Sequence, residues 1–156
     1  MLALYRYNDF LQSALFKLKG CGDIDIAPSF LNYHLHYLRS KYRKHLLIPA
    51  PSFQEHDEQR GFNHVEEIFK IIKLPIVSAI IKISPRKQTD LNPDERSKIG
   101  EILKWRDGVN IQDEQILLVD DVMTTGATIK ACLKLIKKHQ PKSIDVLVLS
   151  KARDKG

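Results

Sequence analysis

Apolar residues recur at helical spacing in DFLQSALFKLKG, where Phe10, Leu11, Ala14, Leu15 and Leu18 share a stripe and Gly20 supplies a stop. The pattern predicts a second helix over APSFLNYHLHYLRSKYR, starting near Pro28 or Ser29, with Leu31, His34, Leu35 and Leu38 on one face. A third lies in GFNHVEEIFKIIKLP, with Val65, Ile68, Phe69 and Ile72 in phase and Pro75 ending it. A fourth, ATIKACLKLIKKHQP, is amphipathic: Ala131, Cys132, Leu135 and Ile136 are expected inside, Lys134, Lys137 and Lys138 outside. The apolar runs HLLIPAPS, SAIIKIS, QILLV and SIDVLVLS read as strands, and QILLV, the most apolar, fits the centre of a sheet. Residues 84–110 break the periodicity with Pro85, Pro93 and many charges, which predicts a mobile functional loop or a hairpin. Strand, helix and strand with short connections around residues 115–150 form a βαβ unit, so the sheet is at least partly parallel.

The 156 residues suggest one domain, 1–156, without internal repeats or low-complexity segments. The formal net charge of +6 fits a partner that is nucleic acid, a membrane surface or a small polyanion such as a phosphate ester. The basic groups are scattered, at Arg39–Lys44, Arg86–Lys87 and Lys137–Lys138, unlike the dense stripe of a duplex-DNA reader. Cys21 and Cys132 are far apart and belong to no CxxC pair, which argues against a disulfide framework or a cysteine zinc site and fits a reduced, cytoplasmic setting. The start carries Arg6 and Asp9 and makes a poor signal peptide, and no apolar run approaches the roughly 18–20 residues of a membrane span.

The chemistry concentrates in QILLVDDVMTTGAT, residues 115–128. An apolar strand runs into two carboxylates and then into a hydroxyl- and glycine-rich turn. In a parallel α/β sheet, ligands bind at the carboxyl ends of the strands, where Asp120 and Asp121 are expected. Gly126 permits close backbone approach, and the N–H groups opening the next helix, with the hydroxyls of Thr124, Thr125 and Thr128, make an anion site. Carboxylates accept hydrogen bonds from sugar hydroxyls. A ribose 5-phosphate offers two vicinal hydroxyls and a phosphate, matching this arrangement.

Other readings are weaker. A Walker B strand also ends in acidic residues, but the chain has no GxxxxGK[ST] loop. A receiver domain opens with a strand ending in VDD and continues far beyond it; here only 35 residues follow Asp121. A merely capped helix needs one aspartate and one threonine, not the whole constellation.

At these residues the chain resembles the phosphoribosyltransferases of the type I fold. Their signature is four apolar residues, two acidic, two variable, then Ser/Thr–Thr–Gly–small–Ser/Thr, and ILLVDDVMTTGAT matches it throughout. A narrower resemblance is to the ComF family of competence-associated bacterial proteins. PAPS followed by RGFNH is similar to their Pro-Val-Pro and Arg-Gly-Phe-Asn-Gln. Gln88, Leu91 and Arg96 match Gln-x-x-Leu-x-x-x-x-Arg, and KGCGD matches K-x-x-G-D. There are departures. The four-cysteine zinc module common in ComF proteins has no counterpart within these residues. His64 replaces the usual glutamine, and Ile99 stands where asparagine is common. Thr124 stands where hypoxanthine-guanine salvage enzymes place an aspartate base, which argues against 6-oxopurine salvage.

The resemblance implies an α/β fold of the type I phosphoribosyltransferase kind: a mostly parallel sheet flanked by helices, with a small N-terminal hood, about residues 1–30, forming the acceptor pocket. It implies phosphoribosyl pyrophosphate as ligand, with Mg²⁺ held mainly by the substrate and otherwise by Asp120 and Asp121. These aspartates would bind the ribose hydroxyls, and Thr124, Thr125, Gly126, Ala127 and Thr128 the 5-phosphate. Ala50, Pro51, Ser52 and Phe53, in the loop opened by Pro49, would bind pyrophosphate through backbone N–H groups. Arg86, Lys87 and Arg96 would close over the pyrophosphate, with Arg60 as a further phosphate contact. Arg86 and Lys87 join the acidic pair as catalytic candidates, since a leaving pyrophosphate needs cations and positioned donors more than covalent help. A link to DNA uptake follows from the resemblance as well, and with it an alternative: a non-catalytic competence module that docks helicase or recombination proteins or single-stranded DNA. Tyr33 and Tyr37, interleaved with basic residues in YHLHYLRSKYRK, suit either base stacking or a helix face.

Overall fold

The computed structural model describes residues 1–51, 61–83 and 102–152. Its main sheet has four strands in the order β1 (Leu2–Arg6), β6 (Ser143–Lys151), β5 (Gln115–Met123), β2 (His45–Pro49). All neighbours are parallel, as the βαβ pattern requires. A separate antiparallel pair joins β3 (Ile80–Ile83) to β4 (Ile102–Trp105). The hairpin alternative for the irregular region therefore holds at its end; residues 84–101 lie outside the described residues. β2 is extended on its outer side by the segment around Ile76, where Leu47 N–H donates to Pro75 O and Val77 N–H to Leu47 O.

The pleat of β5 divides the core. Leu117 and Val119 pack with α1 (Asp9–Gly20), α2 (Leu35–Lys41) and α3 (His64–Phe69), whose Leu11, Leu15, Leu18, Leu38, Val65, Ile68 and Phe69 are buried. Ile116 and Leu118 point the other way, toward α4 (Ala127–Lys137) and the β3–β4 pair. A strand buried on both faces has no reason to alternate, which is why QILLV reads as continuously apolar.

Several expectations are corrected. The predicted second helix is three pieces: 3₁₀ turns at Ile24–Phe30 and Asn32–His34, then α2. Pro28 lies inside the first turn, where it has no N–H to give, and the chain relaxes at Leu31 before turning again. On α4 the buried stripe is Ile129, Cys132 and Ile136; Ala131 is exposed and Leu135 half-buried, so the phase is shifted. Strand β1 was not foreseen. It pairs in register with β6, Leu2 opposite Leu147 and Arg6 opposite Lys151, so the first residues of the expected hood belong to the sheet. Among the described residues, no helix is long and apolar enough to cross a membrane.

Candidate functional site

β5 does not end at the acidic pair. Its pairing with β6 runs on through Val122 opposite Ser150 and Met123 opposite Lys151, because β6 offers partners that far. Asp120 and Asp121 are therefore the sixth and seventh of the nine residues of the strand, not part of the turn beyond it. Their carboxylates also hold the local backbone: Asp120 Oδ1 accepts the Asp121 N–H at 2.9 Å, and Asp121 Oδ1 accepts the Val122 N–H at 2.7 Å.

The two aspartates have different surroundings. Asp121 continues the Leu117–Val119 face and is 6% exposed. Its Oδ2 meets the Lys19 ammonium from α1 and lies 3.5 Å from His64 Nε2 at the start of α3. Burial alone would raise its pKa, but the His64 contact and the Lys19 charge outweigh burial and hold the carboxyl below the usual range. Asp120 continues the Ile116–Leu118 face and is pushed up to about 7, first by burial and then by the charge of Asp121. It also acts on Cys132, whose thiol is pushed up to about 12 by burial and then by the Asp120 charge, so this cysteine is core rather than nucleophile. The adjacent carboxylates are thus compensated unequally: the Lys19 ammonium and the His64 contact favour the charge of one, and the other carries the repulsion.

Beyond Met123 the chain turns through Thr124 and Thr125, both exposed, to Gly126. Gly126 has φ +75°, a left-handed conformation that Gly adopts without the Cβ penalty, and it opens α4 with no side chain capping the helix. Ala127 N–H donates to Thr125 Oγ1 at 3.3 Å. The N–H groups of Thr128 and Ile129 have no intrahelical acceptor, being in the first turn. The five residues Thr124–Thr128 are thus brought together beside the acidic pair.

The Pro49–Phe53 segment fits its expected role less well. Proline has no N–H, and the Ala50 N–H is already donated to Val119 O at 2.7 Å. Amide donors for an anion would have to come from residue 52 onward. Ser52, Phe53, Arg60, Arg86, Lys87 and Arg96 lie outside the described residues.

Sequence reasoning missed Lys19 and His64 as neighbours of the acidic pair. Lys19 reads from sequence as a cation suited to a helix C-terminus, although it opens the K-x-x-G-D stretch. His64 had only its departure from glutamine as a signal. Trp105 is half-buried; it stacks on His139 at 3.9 Å and donates its indole N–H to Val109 O. On the α1 side, a groove of about 610 Å³ is lined by Tyr5, Asn8, Phe10, Leu11, Lys17 and Phe30, among others. Tyr5 O–H donates to Phe30 O at 2.8 Å and ties β1 to the 3₁₀ segment there.

The region 58–156 matches the family model described as phosphoribosyl transferase domain. Over 150 residues the chain is 28% identical to Competence protein ComFC of Bacillus subtilis, covering 94% of this chain and 62% of that one. With Competence protein ComFC of Streptococcus pneumoniae it shares 28% identity over 94% of this chain and 66% of that one. The chain thus spans under two thirds of the length of these relatives. Among solved structures, a Trypanosoma cruzi hypoxanthine phosphoribosyl transferase superposes with a TM-score of 0.53 at 12% identity, covering 83% of this chain and 67% of that one. At that identity the likeness is one of fold: a type I arrangement of parallel sheet and flanking helices.

Proposed function

Because this chain belongs to the phosphoribosyl transferase domain family, we propose that its acidic pair and the following turn bind phosphoribosyl pyrophosphate with Mg²⁺ and transfer the phosphoribosyl group to an acceptor. One observation carries the reading. Two carboxylates and an uncapped, glycine-initiated helix start lie side by side at the carboxyl end of a central parallel strand. Asp120 and Asp121 accept from the ribose hydroxyls, and Thr124–Thr128 hold the 5-phosphate. In the transfer the bond from the anomeric carbon to pyrophosphate breaks and a bond to the acceptor forms. Mg²⁺ fits the hard oxygen donors of this site and keeps most of its coordination in waters and substrate phosphates. When bound it supplies charge stabilisation to the departing pyrophosphate. Asp120 is the protein oxygen donor closest in kind to that task. Ser52, Phe53, Arg60, Arg86, Lys87 and Arg96 supply the remaining phosphate contacts in this reading.

The acceptor site is the groove beside α1. Tyr5 and Arg6 line it at the carboxyl end of β1, the same end of the parallel sheet that carries Asp121, and one strand separates β1 from β5, a spacing of roughly 10 Å between those two strands. This assigns the hood role to α1 and the 3₁₀ segment. Calorimetric titration of phosphoribosyl pyrophosphate is expected to show micromolar binding with Mg²⁺ and little without it. Absence of binding in both conditions would sink the reading.

A role in DNA uptake, in a cytoplasmic setting and with competence or recombination proteins as partners, belongs to the same proposal and is supported by likeness to the two competence proteins. A second reading has its own observation. Tyr33 is 89% exposed and Tyr37 52% exposed, so no buried helix face accounts for them. Lys41 Nζ donates to the phenolic oxygen of Tyr37 at 3.0 Å, and Arg43 and Lys44 are exposed nearby in the chain. Exposed rings among cations suit the stacking of single-stranded bases. The Tyr33→Ala/Tyr37→Ala protein is expected to bind a labelled oligothymidine about tenfold more weakly in anisotropy titrations. Equal binding would remove this surface from consideration.

A further inference from the structure

We infer that His64 is a positioning residue for Asp121: its Nε2 faces Asp121 Oδ2 at 3.5 Å and steers the carboxylate that meets the ribose, an inference that rests on the reading of the site just given. His64 is 7% exposed, and an imidazole so buried costs free energy unless it is hydrogen-bonded. Its ring position is set from the backbone. Asn63 caps α3, its side chain accepting the Glu66 N–H at 3.0 Å, and the following Val65, Ile68 and Phe69 are buried in the core. The helix therefore cannot turn to give the ring another partner. From that fixed point Nε2 lies 3.5 Å from Asp121 Oδ2. The other ring nitrogen, Nδ1, is buried and has no hydrogen-bond partner among the described residues.

This geometry selects a tautomer. A neutral imidazole carries one N–H, and among the described residues the acceptor that faces Nε2 is a carboxylate oxygen, whereas Nδ1 faces none. Nε2 therefore carries the hydrogen and Nδ1 the bare lone pair. Asp121 Oδ1 accepts the Val122 N–H, while Oδ2, which accepts no close hydrogen bond from the described residues, is faced by His64 and the Lys19 ammonium. Lys19 reaches in on a flexible stem and its side chain is 36% exposed, so it supplies charge but little direction. The direction comes from the buried ring.

A directional donor is replaceable by another of the same reach, and a glutamine side-chain N–H lies about where Nε2–H does. His64→Gln is expected to bind Mg²⁺–phosphoribosyl pyrophosphate within about threefold of wild type, and His64→Leu at least about tenfold more weakly. The urea midpoint of His64→Leu should fall as well, because the buried Asp121 carboxylate then keeps only Lys19 at Oδ2, and His64→Gln should recover most of that loss. If leucine binds like wild type, or glutamine falls as far as leucine, the positioning role is wrong. A ligand-free readout separates this inference from the function it builds on. Nitrogen-15 spectra of the wild-type imidazole should show the Nε2–H tautomer, and Asp121→Asn should mix the two tautomers. A wild-type ring protonated on Nδ1, or one unchanged in Asp121→Asn, overturns the inference even if the ligand binds. Absence of ligand binding in wild type counts against the phosphoribosyl reading and leaves the tautomer result to decide this one.

Discussion

Asp120→Asn is expected to have two opposite effects: weaker binding of Mg²⁺–phosphoribosyl pyrophosphate by about tenfold to a hundredfold, and higher stability at pH 8. The first follows from losing a charged acceptor for a sugar hydroxyl, worth about 1.5–3 kcal/mol. The second follows from the position of this carboxyl. Burial, and then the charge of Asp121, push it up to about 7. The folded protein thus holds this proton more tightly than the unfolded chain does. Stability must therefore fall as pH rises from about 4 to about 7, and the cost is full above that window. Asparagine removes the charge and keeps an Oδ1 for the Asp121 N–H. The gain at pH 8 should be on the order of 2 kcal/mol, at about 1.4 kcal/mol per pK unit and with relaxation discounted. Urea titrations at pH 5 and pH 8 check it: the gain should appear at pH 8 and shrink at pH 5. An equal change at both pH values would refute the buried-charge account. Ligand affinity of the wild type should also rise between pH 6 and pH 8 more steeply than that of Asp120→Asn, since only the wild type has this proton to lose.

Asp121→Asn should fail on both counts. The carboxylate faces the Lys19 ammonium and His64, and its pKa is held below the usual range. Its contribution to stability is therefore present above about pH 4 and lost as pH falls below that. Breaking a fully buried pair costs about 3–5 kcal/mol, but the Lys19 side chain is 36% exposed, and about 1–2 kcal/mol is the discounted figure. Thermal or urea midpoints at pH 7 should fall accordingly, and the deficit should narrow at pH 3. Ligand affinity should fall as well. The contrast between neighbours is the sharper test: if both variants stabilise, or both destabilise, at pH 8, then the two carboxylates do not have the unequal environments described.

How much of this could be read from the chain varies with how local the information is. The acidic pair, the hydroxyl-rich turn and Gly126 form one continuous stretch, and chemistry confined to a single element shows in its sequence. The strand before them was legible for the same reason, although its end was not. Its extent depends on what β6 offers as partner, and pairing to Lys151 carries β5 past the aspartates. The same non-locality hid β1: LALYR is five residues long and earns its assignment only by lying beside β6. Lys19 and His64 come from α1 and α3, far from Asp121 in sequence, and only the packing of both helices on one face of the sheet joins them. The overextended second helix failed differently. Its apolar spacing was helical enough, but Pro28 gave the first part a tighter turn.

The pairing of β1 with β6 has a consequence for how the protein is made. Leu2 finds its partner in Leu147, so β1 leaves the ribosome well before the strand it pairs with. Pairings this remote in sequence form slowly, because a long stretch of chain must be ordered before they are rewarded. During synthesis α1 has its sheet-edge neighbour only in prospect, and the groove wall built from Tyr5 and Phe30 cannot be seated until residues 143–151 have emerged. The half of the molecule assigned to the acceptor is therefore completed after translation of this region, whereas β2 and β5 can pair earlier. A nascent chain stalled before β6 would hold the phosphate turn without its finished neighbour, and its exposed apolar edge would be a target for chaperones.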